Sequence, residues 1–200
     1  MKLFHLFSFT LLLLVFSGKP APVVTDPAPV TVVNINTTID RSEDEEIIPW
    51  LNHRKLDWAD FRSKPETHSD AVASTSTSLG ITYKVDKSVW SYSIVCNFSK
   101  HRSWGLLKTN YILAHEQAHF DITEIFARKL YQALQEYSFD TKNFKKDIHE
   151  IYQKIVQEKE AMQEQYDRET DHSRNRKLQY EWLEKIENIL EETAPFANYP

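Results

Sequence analysis

Residues 106–130 read LLKTNYILAHEQAHFDITEIFARKL, and within them His115, Glu116 and His119 stand in the order His-Glu-x-x-His. Leu107, Tyr111, Ile112, Ile122 and Phe126 recur at helical intervals, with no glycine or proline from Leu106 to Ser138, so a helix is predicted here. Residues four apart on a helix share a face, with Cβ atoms about 5–6 Å apart, so His115 and His119 can offer two imidazoles to one zinc ion. Glu116 is turned about 100° from His115. That puts its carboxylate beside the metal position, where it can take a proton from water. Glu124 lies about 180° from His115 and Asp121 about 200° from His119. Both are expected to join Arg128 in a polar cluster on the reverse face.

A catalytic zinc needs a third protein ligand and an open position. Downstream, Ile148, Ile151, Tyr152, Ile155 and Met162 trace one helical stripe, and Leu178, Trp182, Ile186 and Ile189 another. The polar stretch YDRETDHSRN at 166–175 breaks both, so it reads as the link of an antiparallel helix pair and the best source of the missing ligand. His172 is the first choice there, with Asp167 and Glu150 as alternatives. If His172 binds, Asp167, Thr170 or Asp171 is the candidate to hold its second ring nitrogen.

Upstream, Leu79, Ile81, Tyr83 and Val85, then Tyr92, Ile94, Cys96 and Phe98, alternate with a period of two about a short polar break. This predicts a β-hairpin with one face on the core. A small antiparallel sheet followed by the histidine-bearing helix and two further amphipathic helices gives an α+β domain, expected over residues 47–195. In that arrangement the strand from Val89 to Phe98 is the natural edge to align a peptide.

Residues 19–46 carry four prolines and an acidic cluster and read as a linker or loosely attached extended segment. Residues 1–18 hold one lysine and then an apolar run too short to span a bilayer, the layout of a secretory signal peptide with cleavage near Ser17 to Ala21. A secreted or periplasmic chain with no stable membrane span after cleavage is therefore expected. Its single cysteine, Cys96, cannot form an internal disulfide and is expected to be a buried apolar residue. The 24 basic and 29 acidic residues are well mixed, giving a net charge of −5. No basic block is present to neutralise phosphates, which argues against nucleic acid as a partner.

LDWADF at 56–61, Ser103-Trp104, HEQAHFDITEIFARKL from His115 to Leu130, and YDRETDHS followed by Gln179 and Trp182 together resemble the bacterial domain of unknown function 922. The resemblance spans about residues 50–190. It implies a secreted zinc-dependent peptidase with a zincin-like fold, in which the first of the three helices carries the active site, and leaves the substrate unspecified, with cell-wall peptides as one option. His172 fits the family's downstream motif, whereas Ser173 stands where the resemblance leads one to expect glycine. The function expected is hydrolysis of peptide bonds by zinc-activated water, with Glu116 as general base. The alternative is a non-catalytic zinc-binding envelope protein.

Overall fold

The computed structural model describes residues 46–52, 55–66, 71–86 and 89–200, together with the backbone of a strand at 31–35. The alternating runs form the predicted hairpin, β4 (Thr77–Asp86) and β5 (Val89–Ser99). Its register sets Leu79 opposite Cys96, Ile81 opposite Ile94 and Tyr83 opposite Tyr92, which places the apolar members of both strands on one face. Strand β1 (Thr31–Ile35) adds to β4, and β2 (Ile47–Pro49) to the far end of β5, giving an antiparallel sheet in the order β1-β4-β5-β2. Thus part of the stretch expected as linker is extended and paired with the sheet. The expected signal peptide and, apart from Glu46, the rest of that linker lie outside the described residues.

Two shorter strands, β3 (Ala73–Ser74) and β6 (Trp104–Gly105), pair with each other. A Cβ on Gly105 would meet the Trp58 ring at 2.5 Å, so LDWADF packs on β6 only because that residue is glycine.

Helix α1 (Asn110–Glu136) starts where Thr109 Oγ1 accepts from the Ile112 N–H at 3.2 Å, an N-cap of the ordinary kind. Helices α2 (Phe144–Thr170) and α3 (Arg176–Glu192) follow. Helix α1 is buried from Phe120 through Arg128 on every side, packed by the sheet, α2 and α3, so it is the core element of the α+β domain. Ile81, Phe98, Ile122, Ile125 and Leu130 meet there with no exposed surface, each contributing roughly 1.5–3 kcal/mol through burial. No helix among the described residues is long and apolar enough to cross a membrane.

The reverse face of α1 holds the expected charge cluster. Arg128 Nε donates to Glu124 Oε1 at 2.8 Å, and Tyr199 Oη donates to Glu124 Oε2 at 2.7 Å. Asp121 accepts from Trp50 Nε1 at 2.9 Å and Gln117 Nε2 at 2.8 Å. Glu124 is 0% exposed, and burial raises its carboxyl above the usual range despite Arg128 and Tyr199. Cys96 is buried alongside; burial first, then the charges of Glu124 and Asp121, push its thiol well up. Removing one partner of a buried ion pair strands the other. Arg128→Ala is therefore expected to destabilise the fold by about 3–5 kcal/mol, read as a lower urea midpoint. A loss under about 1 kcal/mol, the worth of a surface pair, would refute this account of the cluster.

Candidate metal centre

Helices α1 and α2 run antiparallel, so each turn back along α2 meets a turn forward along α1. His115 faces Asp167, and His119 faces Gln163. The Nε2 atoms of both histidines lie 3.1 Å from Asp167 Oδ1, and among the described residues these three side chains form a group whose ligand atoms are all within 4.8 Å of one another. Bonds of about 2.0–2.2 Å to a tetrahedral ion place neighbouring ligand atoms roughly 3.3–3.6 Å apart. The triad is thus close to the spacing such an ion requires. Two imidazoles and a carboxylate are also a donor set suited to zinc, with a fourth position left open.

The ligand positions are held from behind. Gln163 Oε1 meets His119 Nδ1 at 2.5 Å, while its Nε2 donates to the His119 carbonyl at 2.9 Å. Because both ends of one amide grip the same residue, Nδ1 is the ring atom held by Gln163 and Nε2 is the one turned to Asp167. Thr123 Oγ1 joins this arrangement by donating to the His119 carbonyl at 3.1 Å, and it contacts Thr77 Oγ1 at 2.7 Å. His115 Nδ1 is buried without a protein partner, as is Glu116 Oε2. Burial works against a charge on His119, yet the hydrogen bond and charge of Asp167, with Glu116 behind them, raise its titration above 6.5. Burial likewise opposes ionisation of Asp167, but hydrogen bonds from His115 and His119 hold its carboxyl well below the usual range.

The other sequence candidates fall elsewhere. Helix α2 runs through Asp167 to Thr170, so the polar break expected from residue 166 begins only after the helix ends. Asp167 therefore projects from the last helical turn into the triad. His172 stands outside it, its side chain 57% exposed and Nδ1 3.7 Å from Asp167 Oδ1. Thr170 Oγ1 donates to the Tyr166 carbonyl at 2.7 Å, and the exposed Asp171 pairs with Arg174 at 3.4 Å; neither is found on His172. Glu150 lies on the solvent face of α2, paired with Lys146. Asp171, His172 and Ser173 have φ of 49°, 49° and 72°, three left-handed residues in succession at a cost of about 1 kcal/mol or more each. The Ser173 angle supplies the physical reason to expect glycine there.

Strand β5 is not the edge beside the centre, a correction to the sequence reading. It pairs with β4 along its length and with β2 only at residues 97–99, and none of its residues lines the cleft over the triad. The cleft over the triad, about 530 Å³, is instead lined by residues 71–77, with Trp104, Lys159, Glu160 and Glu164 at its walls. A larger cavity of about 600 Å³ on the other face of α1 is walled by Trp50, Leu113, Ile186 and Leu190. Its polar Gln117 and Asp121 bond each other, and it holds none of the triad.

The family model for bacterial proteins of unknown function, DUF922, matches residues 34–173. The chain belongs to that family. The matched part of this DUF922 chain takes in the hairpin, α1, α2 and the left-handed turn, hence the whole triad and His172, and stops short of α3. Neither the curated proteins nor the solved structures gave a match.

Zinc titration of variants tests the grouping. Asp167→Ala and His119→Ala are expected to weaken binding more than Gln163→Ala, which should cost the 10- to 100-fold typical of a residue behind a ligand. His172→Ala should cost least, and a loss in His172→Ala larger than in Asp167→Ala would overturn the triad. Imidazoles must shed a proton to bind, and despite burial the Asp167 carboxylate holds the His119 proton more tightly than a free imidazole holds its own. Apparent affinity should therefore climb as pH rises through the imidazole range and fall on acidification. A competition titration between about pH 5.5 and 8 that gave a flat profile would contradict this.

Proposed function

We propose that this chain is an exported zinc-dependent peptidase in which His115, His119 and Asp167 hold the ion and Glu116 is the general base. The observation that carries the reading is Glu116 itself. It is a buried carboxylate with an unpartnered oxygen, on the cleft wall beside three converging ligands. Such a group is costly unless it has work to do. When bound, the ion supplies a Lewis acid for the scissile carbonyl and for water. Glu116 takes a proton from the attacking water and delivers it to the leaving nitrogen as the C–N bond breaks. Export rests on the N-terminal sequence, and the substrate class on the shape of the cleft.

The segment 71–77 supplies the edge for an extended substrate. The Val72 carbonyl accepts from the N–H groups of Leu106 at 2.8 Å and Leu107 at 3.1 Å, and the Ser76 N–H donates to Ser103 Oγ at 2.9 Å. Backbone groups alternate in direction along a strand, so those of Ala73 and Thr75 turn toward the other edge, where a peptide can pair with them. The nearness of His172 to Asp167 favours a second reading, a four-ligand structural site without an open position.

Glu116→Gln keeps the shape but cannot accept the proton. It should retain one zinc per chain and the wild-type melting temperature while peptide hydrolysis falls by about 10²- to 10⁴-fold. Undiminished hydrolysis in this variant would remove the mechanism. Zinc with the spectroscopic signature of three histidines and one carboxylate, and no hydrolysis by the wild type, would establish the structural reading instead.

A further inference from the structure

The cleft does not end at the triad. Val72, His172 and Ser173 line it and also line a neighbouring chamber of about 420 Å³, whose remaining walls include Leu107, Tyr111, Ile112 and Arg176. Leu107 is 51% exposed there, as one wall of an apolar recess, and Ile112 forms a buried wall. Tyr111 is fixed in place, its hydroxyl donating to the Ser173 carbonyl at 2.7 Å. Arg176 opens α3 at the rim, its guanidinium held 4.6 Å over the Tyr111 ring, and Arg174 lies beside it in the lining. Stacking on an aromatic face leaves the guanidinium edge open to a carboxylate, and the first turn of a helix adds positive potential at the same rim.

We propose that this chamber is the specificity pocket of the cleft, and that it selects peptides carrying a bulky apolar side chain two positions from an acidic residue. The proposal rests on the peptidase reading for its reaction, but its recognition chemistry stands on the chamber. His172 Nδ1, on the wall shared by the two spaces, is 3.7 Å from Asp167 Oδ1. An extended peptide advances roughly 3.4 Å per residue. A side chain one or two positions from a carbonyl at the triad therefore arrives between Leu107, Tyr111 and Ile112. Successive side chains of an extended peptide point to opposite faces, so the residue two positions on returns to the same side and faces Arg176 at the rim. The far end of the cleft has a different character, with Glu160 and Glu164 beside Lys159. A peptide of the opposite polarity would meet unlike surroundings at both ends, and such mismatches set register and discriminate partners.

The test uses zinc-loaded full chain and a series of capped fluorogenic hexapeptides that vary one position among Leu, Phe and Ser and the next but one among Asp, Asn and Lys. Leu-x-Asp and Phe-x-Asp members should exceed Ser-x-Lys by at least about tenfold in kcat/KM, the scale of discrimination by an apolar pocket. Leu107→Ser should shrink the Leu-over-Ser ratio several-fold, and Arg176→Glu should invert the Asp-over-Lys ratio. Wild-type cleavage with ratios that neither variant alters would overturn the pocket while leaving the peptidase intact. If the wild type hydrolyses none of the series, the peptidase reading fails for these peptides. The pocket is then judged by affinities of the same peptides for zinc-loaded Glu116→Gln. Tighter binding of Leu-x-Asp that is lost when Leu107→Ser and Arg176→Glu are added supports it, and equal affinity across the series refutes it.

Discussion

The seating of Tyr166 against the first turns of α1 is the constraint on which the candidate centre depends. Its ring stacks on His115 at 4.6 Å and 23°, meets His119 at 5.1 Å, and is backed by Trp182 at 5.5 Å. It is fully buried, and burial pushes its phenol far up, so it stays a neutral wedge between two helices. One side of that wedge sets the imidazole planes. The other fixes how far α2 slides along α1, since Asp167 is the next residue and Gln163 is one turn back. A slip of one turn, about 5.4 Å, would carry both away from the histidines they face. Close packing makes such a slip costly, because aromatic volumes of this size have no alternative socket.

Polar groups without partners are concentrated beside this wedge. Among the described residues the buried side-chain atoms lacking a hydrogen bond are Trp58 Nε1, Thr75 Oγ1, His115 Nδ1, Glu116 Oε2 and Gln179 Oε1, and the middle three line the triad's cleft. Elsewhere buried charge is matched with care, as where Glu124 receives both Arg128 and Tyr199. The same helix therefore obeys the rule of satisfied burial on one face and relaxes it on the other. Such departures from local consistency are expected where a fold is shaped for a ligand and not for stability alone.

The hairpin and the three helices were legible in the sequence because their apolar residues keep strict periods: Leu79, Ile81 and Tyr83 at two, Leu178, Trp182, Ile186 and Ile189 at three to four. Helix pitch alone also separated the histidine face of α1 from Glu124 and Asp121. The third member of the triad, Asp167, stood only as an alternative behind His172, and the reason lies in α2. Its buried stripe continues past Ile155 through Lys159, Tyr166 and Thr170, and residues of mixed polarity hide that continuation from an apolar count. Phasing from Tyr152 to Tyr166 would have carried the helix to Thr170 and set Asp167 on the inner side. The strand pair β3 and β6 was equally hidden. Two residues on each side are too few to show a period, and only the close fit of Trp58 on Gly105 marks the place.

The lone thiol gives the molecule a built-in clock. Cys96 is sealed in the core with its proton held tightly, and only the thiolate reacts with alkylating reagents. Modification must therefore wait until the sheet and α1 part company, and its rate counts those openings. Since α1 carries two of the three converging side chains, an ion that binds them should slow the clock without touching the cysteine. The sulfur would then report, from the far side of the same helix, how strongly occupancy of the cleft steadies the whole core.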